Sequence, residues 1–415
     1  MTATRRGSKT ARIVFAGIVA LAALAALEGL LALAGLPPAA PATATGLSAA
    51  DTIDERTPID LAIYEPDPLL LWRLRRSTVI LAPDLGFDQM RTNAAGLRGA
   101  ELPPTVREPS ELRVLCLGDS VTAGLSLGER QTYPARLEEA LRARLPDRRV
   151  RVVNGGVPGH SFAQGRRLFD ELRPRQFDVV IAWYGLNDAK PALGAPDAEL
   201  RMPGVASIQL TAALRRSRIF RSIERIAEPA PGDATRSTPA QTAAAAEHIA
   251  RAASEDGGTA LFVRGPTRLM EKQAQLERVL AAVRAAGADF VEGSQFCLSL
   301  YVCAVPPTER IVTTDGEPGS RVAHLAVENE PRTRLSVAQL ATRCDAVREW
   351  RTRYEAHGAA LPARSIDGAG LLGDLAPSAA FGDDVHLTAA GAARVGERLA
   401  DVVLEAIAKL PAKPR

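Results

Sequence analysis

A doubly wound parallel α/β sheet is the fold this sequence predicts, and three observations predict it. Short, almost wholly apolar runs recur along the chain, and several stop at a polar, glycine-bearing turn. Such runs mark strands buried on both faces. Amphipathic helical stretches alternate with them, and strand alternating with helix is the rhythm of parallel βαβ units. The third observation is length: 415 residues leave room for two or three domains at roughly 150 residues each.

The elements follow in order. Arg5, Arg6, Lys9 and Arg12 precede an apolar run from Ile13 to Leu36, broken only by Glu28 and three glycines. At 1.5 Å per residue this run makes about 36 Å of helix, enough for a hydrocarbon core of about 30 Å. The cationic cluster before the span puts residues 1–12 in the cytoplasm and everything after Leu36 outside. A cleaved signal peptide is the rival reading, with small-residue sites at Ala40-Pro41-Ala42 and Ala42-Thr43-Ala44. The run is longer than the roughly 7–15 residues of a signal h-region, which favours an uncleaved anchor over residues 13–36. The expected placement is a single-pass membrane protein with the chain after the anchor outside the cytoplasm, or an exported protein if the segment is cleaved. Residues 37–63 read as a tether, rich in Ala, Pro and Thr at its start. Residues 64–105 alternate short apolar runs with turns such as Pro66-Asp67-Pro68 and Asn93-Ala94-Ala95-Gly96, and predict a small β-rich preface.

From residue 110 to 408 the α/β rhythm runs through a single catalytic domain. Arg113–Leu117, Val150–Val153, Asp178–Tyr184, Thr259–Val263 and Ala363–Ile366 are its expected strands. Tyr133–Leu145, Phe162–Leu172, Ala243–Ser254, Lys272–Ala285, Ser336–His357 and Thr388–Leu404 are its expected helices. Insertions are expected near 190–240 and 293–335. The first holds a stripe of Leu214, Phe220, Ile223 and Ile226 ringed by arginines. A solvated arginine face over a packed helix is its expected reading, and contact with anionic lipid the alternative. Residues 294–334 have no sustained period and are long for a loop, so they read as a functional insertion or a small excursion.

Composition narrows the function classes. The chain is 46% apolar and 24% charged, which excludes a wholly disordered or polytopic membrane chain. A net charge of +3 gives no reason to invoke nucleic acid. Four Cys without two-residue pairing exclude a zinc ribbon or a disulfide scaffold. Cys116 reads as an inert core thiol. Cys297 and Cys303 could pair in an oxidising compartment, with Cys344 as an alternative partner.

Chemistry collects at the strand ends, where ligands of such sheets bind. Gly118-Asp119-Ser120 follows the first strand, Asn154-Gly155-Gly156-Val157-Pro158-Gly159 the second, and Gly185-Leu186-Asn187-Asp188 the third. A serine at a strand-to-helix turn exposes its hydroxyl but needs a base, being a weak nucleophile at neutral pH. Asp383-Asp384-Val385-His386 supplies one, with a carboxylate three residues ahead of the imidazole. That spacing lets Asp383 take the Nδ1–H of His386 while Nε2 faces Ser120. Asp384 competes for the same role at a less suitable spacing. Asp119 and Asp188 read as loop braces, and His160 as a loop histidine with a local bond. The Gly-x-Ser-x-Gly elbow is absent, which disfavours an ordinary α/β-hydrolase.

The four blocks, in this order, resemble those of the GDSL, or SGNH, hydrolases. The resemblance covers roughly residues 112–408 and implies a flavodoxin-like, doubly wound sheet of five parallel strands. It implies a nucleophile at Ser120, a base at His386 and an orienting carboxylate at Asp383. It also implies an oxyanion hole from the backbone N–H of Ser120 and Gly159 and the side-chain amide of Asn187. No metal or organic cofactor is implied. Tyr64–Pro68 and Asn93–Gly99 look like the stretch preceding the catalytic domain in membrane-anchored bacterial members. The expected function is a membrane-anchored serine esterase acting on a small acyl ester or an acylated glycan, single-pass in a bacterial inner membrane with its catalytic domain periplasmic, or secreted after signal cleavage. The same triad would serve an O-acyltransferase of envelope polysaccharide, and a non-catalytic envelope-binding module is the third reading. Oligomeric state is not legible. Val121 stands where many members have Leu or Ile. Asp188 and Asp383 are also separated by nearly two hundred residues, so insertions shape the pocket.

Overall fold

The computed structural model describes residues 9–34, 63–82, 87–108, 110–192, 195–201, 214, 217–227, 235–265, 267–294, 298, 311–315, 320–325, 332–362, 365–383 and 385–411. The chain divides into two compact units, 1–44 with 203–231, and 45–202 with 232–415. The first holds α1 (Lys9–Leu33) and α5 (Arg218–Ala227). A segment expected as a catalytic-domain insertion thus groups with the N-terminal helix. Among the described residues α1 alone is long and apolar enough to cross a membrane, a test that a signal sequence also passes.

The second unit is built on five parallel strands, β5 (Leu112–Gly118), β6 (Val150–Gly156), β7 (Val179–Trp183), β8 (Thr259–Arg264) and the two-residue β13 (Ile366–Asp367). Their order across the sheet is β13-β8-β7-β5-β6. Side chains alternate faces along a strand. Leu112, Val114 and Cys116 of β5 pack with Tyr133, Leu137 and Leu141 of α3 (Tyr133–Arg144) and with Val395, Leu399 and Val403 of the closing helix α9 (Ala389–Ala408). Helices α4 (Phe162–Leu172) and α6 (Pro239–Glu255) pack against each other, α4 also against β5 and α6 against β8. Phe162 of α4 lies 6.4 Å from the ring of Phe262 on β8. The doubly wound sheet predicted from the apolar runs is the sheet observed. The fifth strand is shorter than expected, and 363–364 lie outside the described residues.

The preface forms two antiparallel hairpins, β1 (Tyr64–Asp67) with β2 (Leu71–Leu74), and β3 (Val79–Ala82) with β4 (Phe87–Arg91). The stretch 294–334, read as a functional insertion or a small excursion, contributes strands to a second sheet. Strands β9 (Phe290–Ser294), β10 (Ile311–Asp315), β11 (Arg321–Leu325) and β12 (Arg332–Ser336) make a mixed sheet of order β10-β11-β9-β12. Val291, Ala323, Leu325 and Leu335 of this sheet share a core with Val279 and Val283 of α7 (Leu269–Ala285) and Cys344 and Val347 of α8 (Val337–Ala359). Strands of only five residues, separated by gaps of 16, 5 and 6 residues, leave no period long enough to read.

Candidate active site

Four loops meet at the carboxyl ends of β5, β6 and β7, and each is shaped by its own residues. After β5 the chain turns into the four-residue helix α2 (Ser120–Ala123), capped by Asp119, whose Oδ1 accepts from Val121 N at 3.0 Å. Gly156 on β6 lets this helix lie close, since a Cβ there would fall 2.1 Å from Ala123 N. The far end of α2 is held from the preface. Arg98, itself buried, donates to the carbonyls of Ala123 and Gly124 at 2.7 Å each and to Leu127 O at 2.5 Å. A cation at orphan carbonyls suits the negative end of a helical turn.

Ser120 and His386, the expected nucleophile and base, lie together. His386 Nε2 is 2.8 Å from Ser120 Oγ, and Nδ1 is 2.6 Å from Asp383 Oδ2. Asp383 is fixed by its second oxygen, which accepts from Val385 N at 2.8 Å and His386 N at 2.7 Å. Burial pushes the Asp383 carboxyl up, but the charge of His386 and these bonds outweigh it and hold the group below the usual carboxylate range. Asp383 therefore stays anionic, as an orienting group must. Asp384, its rival in the sequence, lies outside the described residues.

The glycine block supplies the other wall. Gly159 takes a φ of +82°, a left-handed conformation that costs other residues strain. Among the described residues, neither its N–H nor that of Ser120 meets an acceptor. Asn187 is buried, and its Nδ2 donates to Asp119 Oδ2 and to His160 O at 3.1 Å each, so both amide hydrogens are engaged. Burial pushes the Asp119 carboxyl up to about 6. Asp188 accepts from Phe162 N at 3.0 Å and Gly185 N at 3.1 Å, stitching the second and third loops together.

His160 is fully buried, with Nε2 2.9 Å from the Trp72 carbonyl, and burial lowers it to about 3, so it is neutral and structural. Cys116 is a buried free thiol raised by burial, and Cys344 is likewise free and buried. The Cys297–Cys303 pairing lies outside the described residues.

Arg98 and three further bracing residues escaped the sequence reading. Trp72 Nε1 donates to Pro158 O at 3.0 Å. Arg236 donates to Gly159 O at 2.8 Å, pairs with buried Asp197 at 2.7 Å and lies over the Trp72 ring at 5.4 Å. Trp350 of α8 donates to Leu186 O at 3.2 Å, and packs with Leu186 and Val385. Trp72 stands out only as one of three tryptophans in the chain. A cavity of about 710 Å³ lined by Arg98, Glu129, Arg136, Arg142 and Arg151 contains no triad residue. Complementary chemistry, and not cavity size, marks the site.

Residues 116–268, which carry three of the four blocks, match the model of the GDSL-like lipase/acylhydrolase family. The chain carries a GDSL-like lipase/acylhydrolase domain. No curated protein matches the chain. Among solved structures, the chain is similar to a lipase/acylhydrolase from Enterococcus faecalis, at 14% identity and a TM-score of 0.31 over 73% of this chain and 100% of that one. It is also similar to a catalytic mutant of an acetylxylan esterase from Geobacillus stearothermophilus, at 14% identity and a TM-score of 0.31 over 75% and 100%. An α/β hydrolase from the metagenome of Lake Arreo, Spain, is similar at 15% identity and a TM-score of 0.31 over 74% and 99%.

Proposed function

We propose that the protein is a membrane-anchored, extracytoplasmic serine esterase that removes acetyl or other short acyl groups through Ser120, His386 and Asp383. The observation that carries this reading is the unbroken hydrogen-bond relay from Ser120 Oγ to His386 to Asp383. His386 takes the Ser120 proton as Oγ attacks the ester carbonyl, then returns it to the leaving alcohol. Water, activated by the same imidazole, releases the acyl group from Ser120. Developing negative charge on the carbonyl oxygen is met by the N–H groups of Ser120 and Gly159. Asn187 joins them by exchanging the His160 carbonyl for the oxyanion. Each such donor is generally worth about 2.7–4 kcal/mol. Ser120 and His386 are each only partly buried, as an ester carried on a bulky alcohol requires.

The anchored, outward-facing placement is supported by the basic residues ahead of the apolar run of α1 and by the length of that run. The test uses short-chain aryl esters and a fluorophosphonate probe on the full chain and on Ser120→Ala. Labelling and turnover in the parent, both lost in the folded variant, are expected. Turnover retained by Ser120→Ala sinks the nucleophile assignment. Acyl groups recovered on an added glycan, in place of free acid, would make the enzyme a transferase.

A further inference from the structure

Glu28 is an acid inside the apolar stretch of α1, and its partners lie nearly two hundred residues away in sequence. Its carboxylate accepts from Ser217 Oγ at 2.8 Å and from the backbone N–H groups of Arg218 at 2.6 Å and Ile219 at 3.1 Å. Ser217 Oγ in turn accepts from Phe220 N at 3.3 Å. The first three N–H groups of α5 are therefore all satisfied by side chains of the same compact unit. In water one capping serine usually suffices, and solvent meets the other donors. Complete internal satisfaction is what a helix start needs where water is scarce, and a carboxylate in a membrane span needs partners of this kind.

Depth agrees with this. Glu28 is five residues before Leu33, the end of the apolar span, or about 7–8 Å of helix. Interfacial amphipathic helices lie about 5–10 Å into the boundary between headgroups and acyl chains. Helix α5 has the composition of one. Ile219, Phe220 and Ile223 share a face by helical spacing, and Ile223 is 58% exposed. Over residues 214–227 the sequence holds five arginines against one glutamate.

We infer that α5 lies on the outer surface of the bilayer crossed by α1, held there by Glu28, with its apolar face among acyl chains and its arginines against anionic lipid headgroups. This rests on the anchored placement proposed above. The α1–α5 pair then ties the catalytic unit to the membrane twice along the chain, once before residue 45 and again between residues 202 and 232. Such a tie confines the esterase to acyl esters within reach of the membrane surface.

The test places an environment-sensitive thiol label on full-length chains carrying Val19→Cys, Ile223→Cys or Arg251→Cys. Each is reconstituted in nanodiscs of phosphatidylcholine with or without phosphatidylglycerol, with brominated acyl chains as quencher. The signal of the unsubstituted chain is subtracted for its native cysteines. Quenching at Val19 and Ile223 at least about threefold that at Arg251 is expected, stronger at Ile223 when phosphatidylglycerol is present. Glu28→Leu is expected to reduce quenching at Ile223 and leave Val19 unchanged. Quenching at Val19 with Ile223 at the Arg251 level overturns the docking of α5 and leaves the anchor standing. No quenching at Val19 overturns the anchor itself. Equal quenching at Ile223 in both lipids overturns the anionic preference, and quenching that survives Glu28→Leu overturns the role given to Glu28.

Discussion

The Trp72 indole fixes the peptide plane of a proposed oxyanion donor it does not touch, the Gly159 N–H, and Trp72→Phe measures that control. A trans peptide unit is planar, so its C=O and the following N–H point in opposite directions. Pro158 O and Gly159 N–H belong to one such unit. By holding Pro158 O at 3.0 Å, the indole sets where the Gly159 N–H points. The substituted phenyl ring would keep most of the apolar surface but lose the donor and leave a buried carbonyl unpaired. Loss of a whole oxyanion donor costs about 10²–10³ in kcat, which sets the ceiling. Arg236 still holds the next carbonyl, Gly159 O, at 2.8 Å, so the loop is only partly released. A fall of about 10–100-fold in kcat is therefore expected, or about 1.4–2.7 kcal/mol of transition-state stabilisation. The loss belongs to the transition state, so kcat and kcat/KM should fall together with KM little changed. The assay is steady-state hydrolysis of aryl acetates, paired with binding of a trifluoromethyl ketone, which presents an oxyanion, and of a ground-state amide, which does not. Weaker ketone binding with unchanged amide binding is expected. An unchanged kcat, or equal loss for both inhibitors, would refute the reasoning and reduce Trp72 to a packing residue.

Other outcomes follow from the same geometry. In Asp383→Asn, keeping both backbone bonds to Oδ1 forces the side-chain NH₂ toward His386 Nδ1 and selects the wrong tautomer. A fall of about 10⁴ in kcat with intact folding is expected, and loss under tenfold in steady-state assays would contradict the relay. Arg236→Ala strands the fully buried carboxylate of Asp197, so urea unfolding should register a loss of about 3–5 kcal/mol; a loss below about 1 kcal/mol would show the pair to be dispensable. Asp119 has its carboxyl raised to about 6 by burial, so its stabilising contribution is full below the unfolded value of about 3.9 and is lost as pH rises through 6. Between pH 4 and 7.5 the wild type should lose up to about 3 kcal/mol relative to Asp119→Asn, and a difference that does not vary with pH would refute the assignment.

The sheet and the hydrogen-bonded set of Ser120, His386 and Asp383 were legible for different reasons. Parallel strands buried on both faces must be apolar throughout, so RVLCL and DVVIAW announce themselves without reference to anything distant. His386 was readable because its orienting carboxylate is three residues away and the bond between them is local. The small sheet over 290–336 was not legible, because its strands are short and their partners are set by tertiary pairing. The grouping of 203–231 with 1–44 was hidden for a similar reason: the tie runs through Glu28, whose partners are two backbone N–H groups and a serine.

Those two failures and the missed bracing residues have one physical cause. Trp72, Arg98, Arg236 and Trp350 all act on backbone carbonyls, at Pro158, Ala123, Gly159 and Leu186. A carbonyl is the same group in every residue, so its partner leaves no complementary letter in the sequence. Side-chain pairs such as Asp383 and His386 do leave one. A catalytic serine needs both kinds of contact: paired side chains to move the proton, and fixed peptide planes to receive the oxyanion. The first kind is encoded in four short blocks. The second comes from the preface, α8 and the stretch just after the 203–231 segment. Extra length outside the blocks thus has a specific use, to hold the loop carbonyls, among them Pro158 O, whose peptide plane carries the Gly159 N–H of the proposed oxyanion hole.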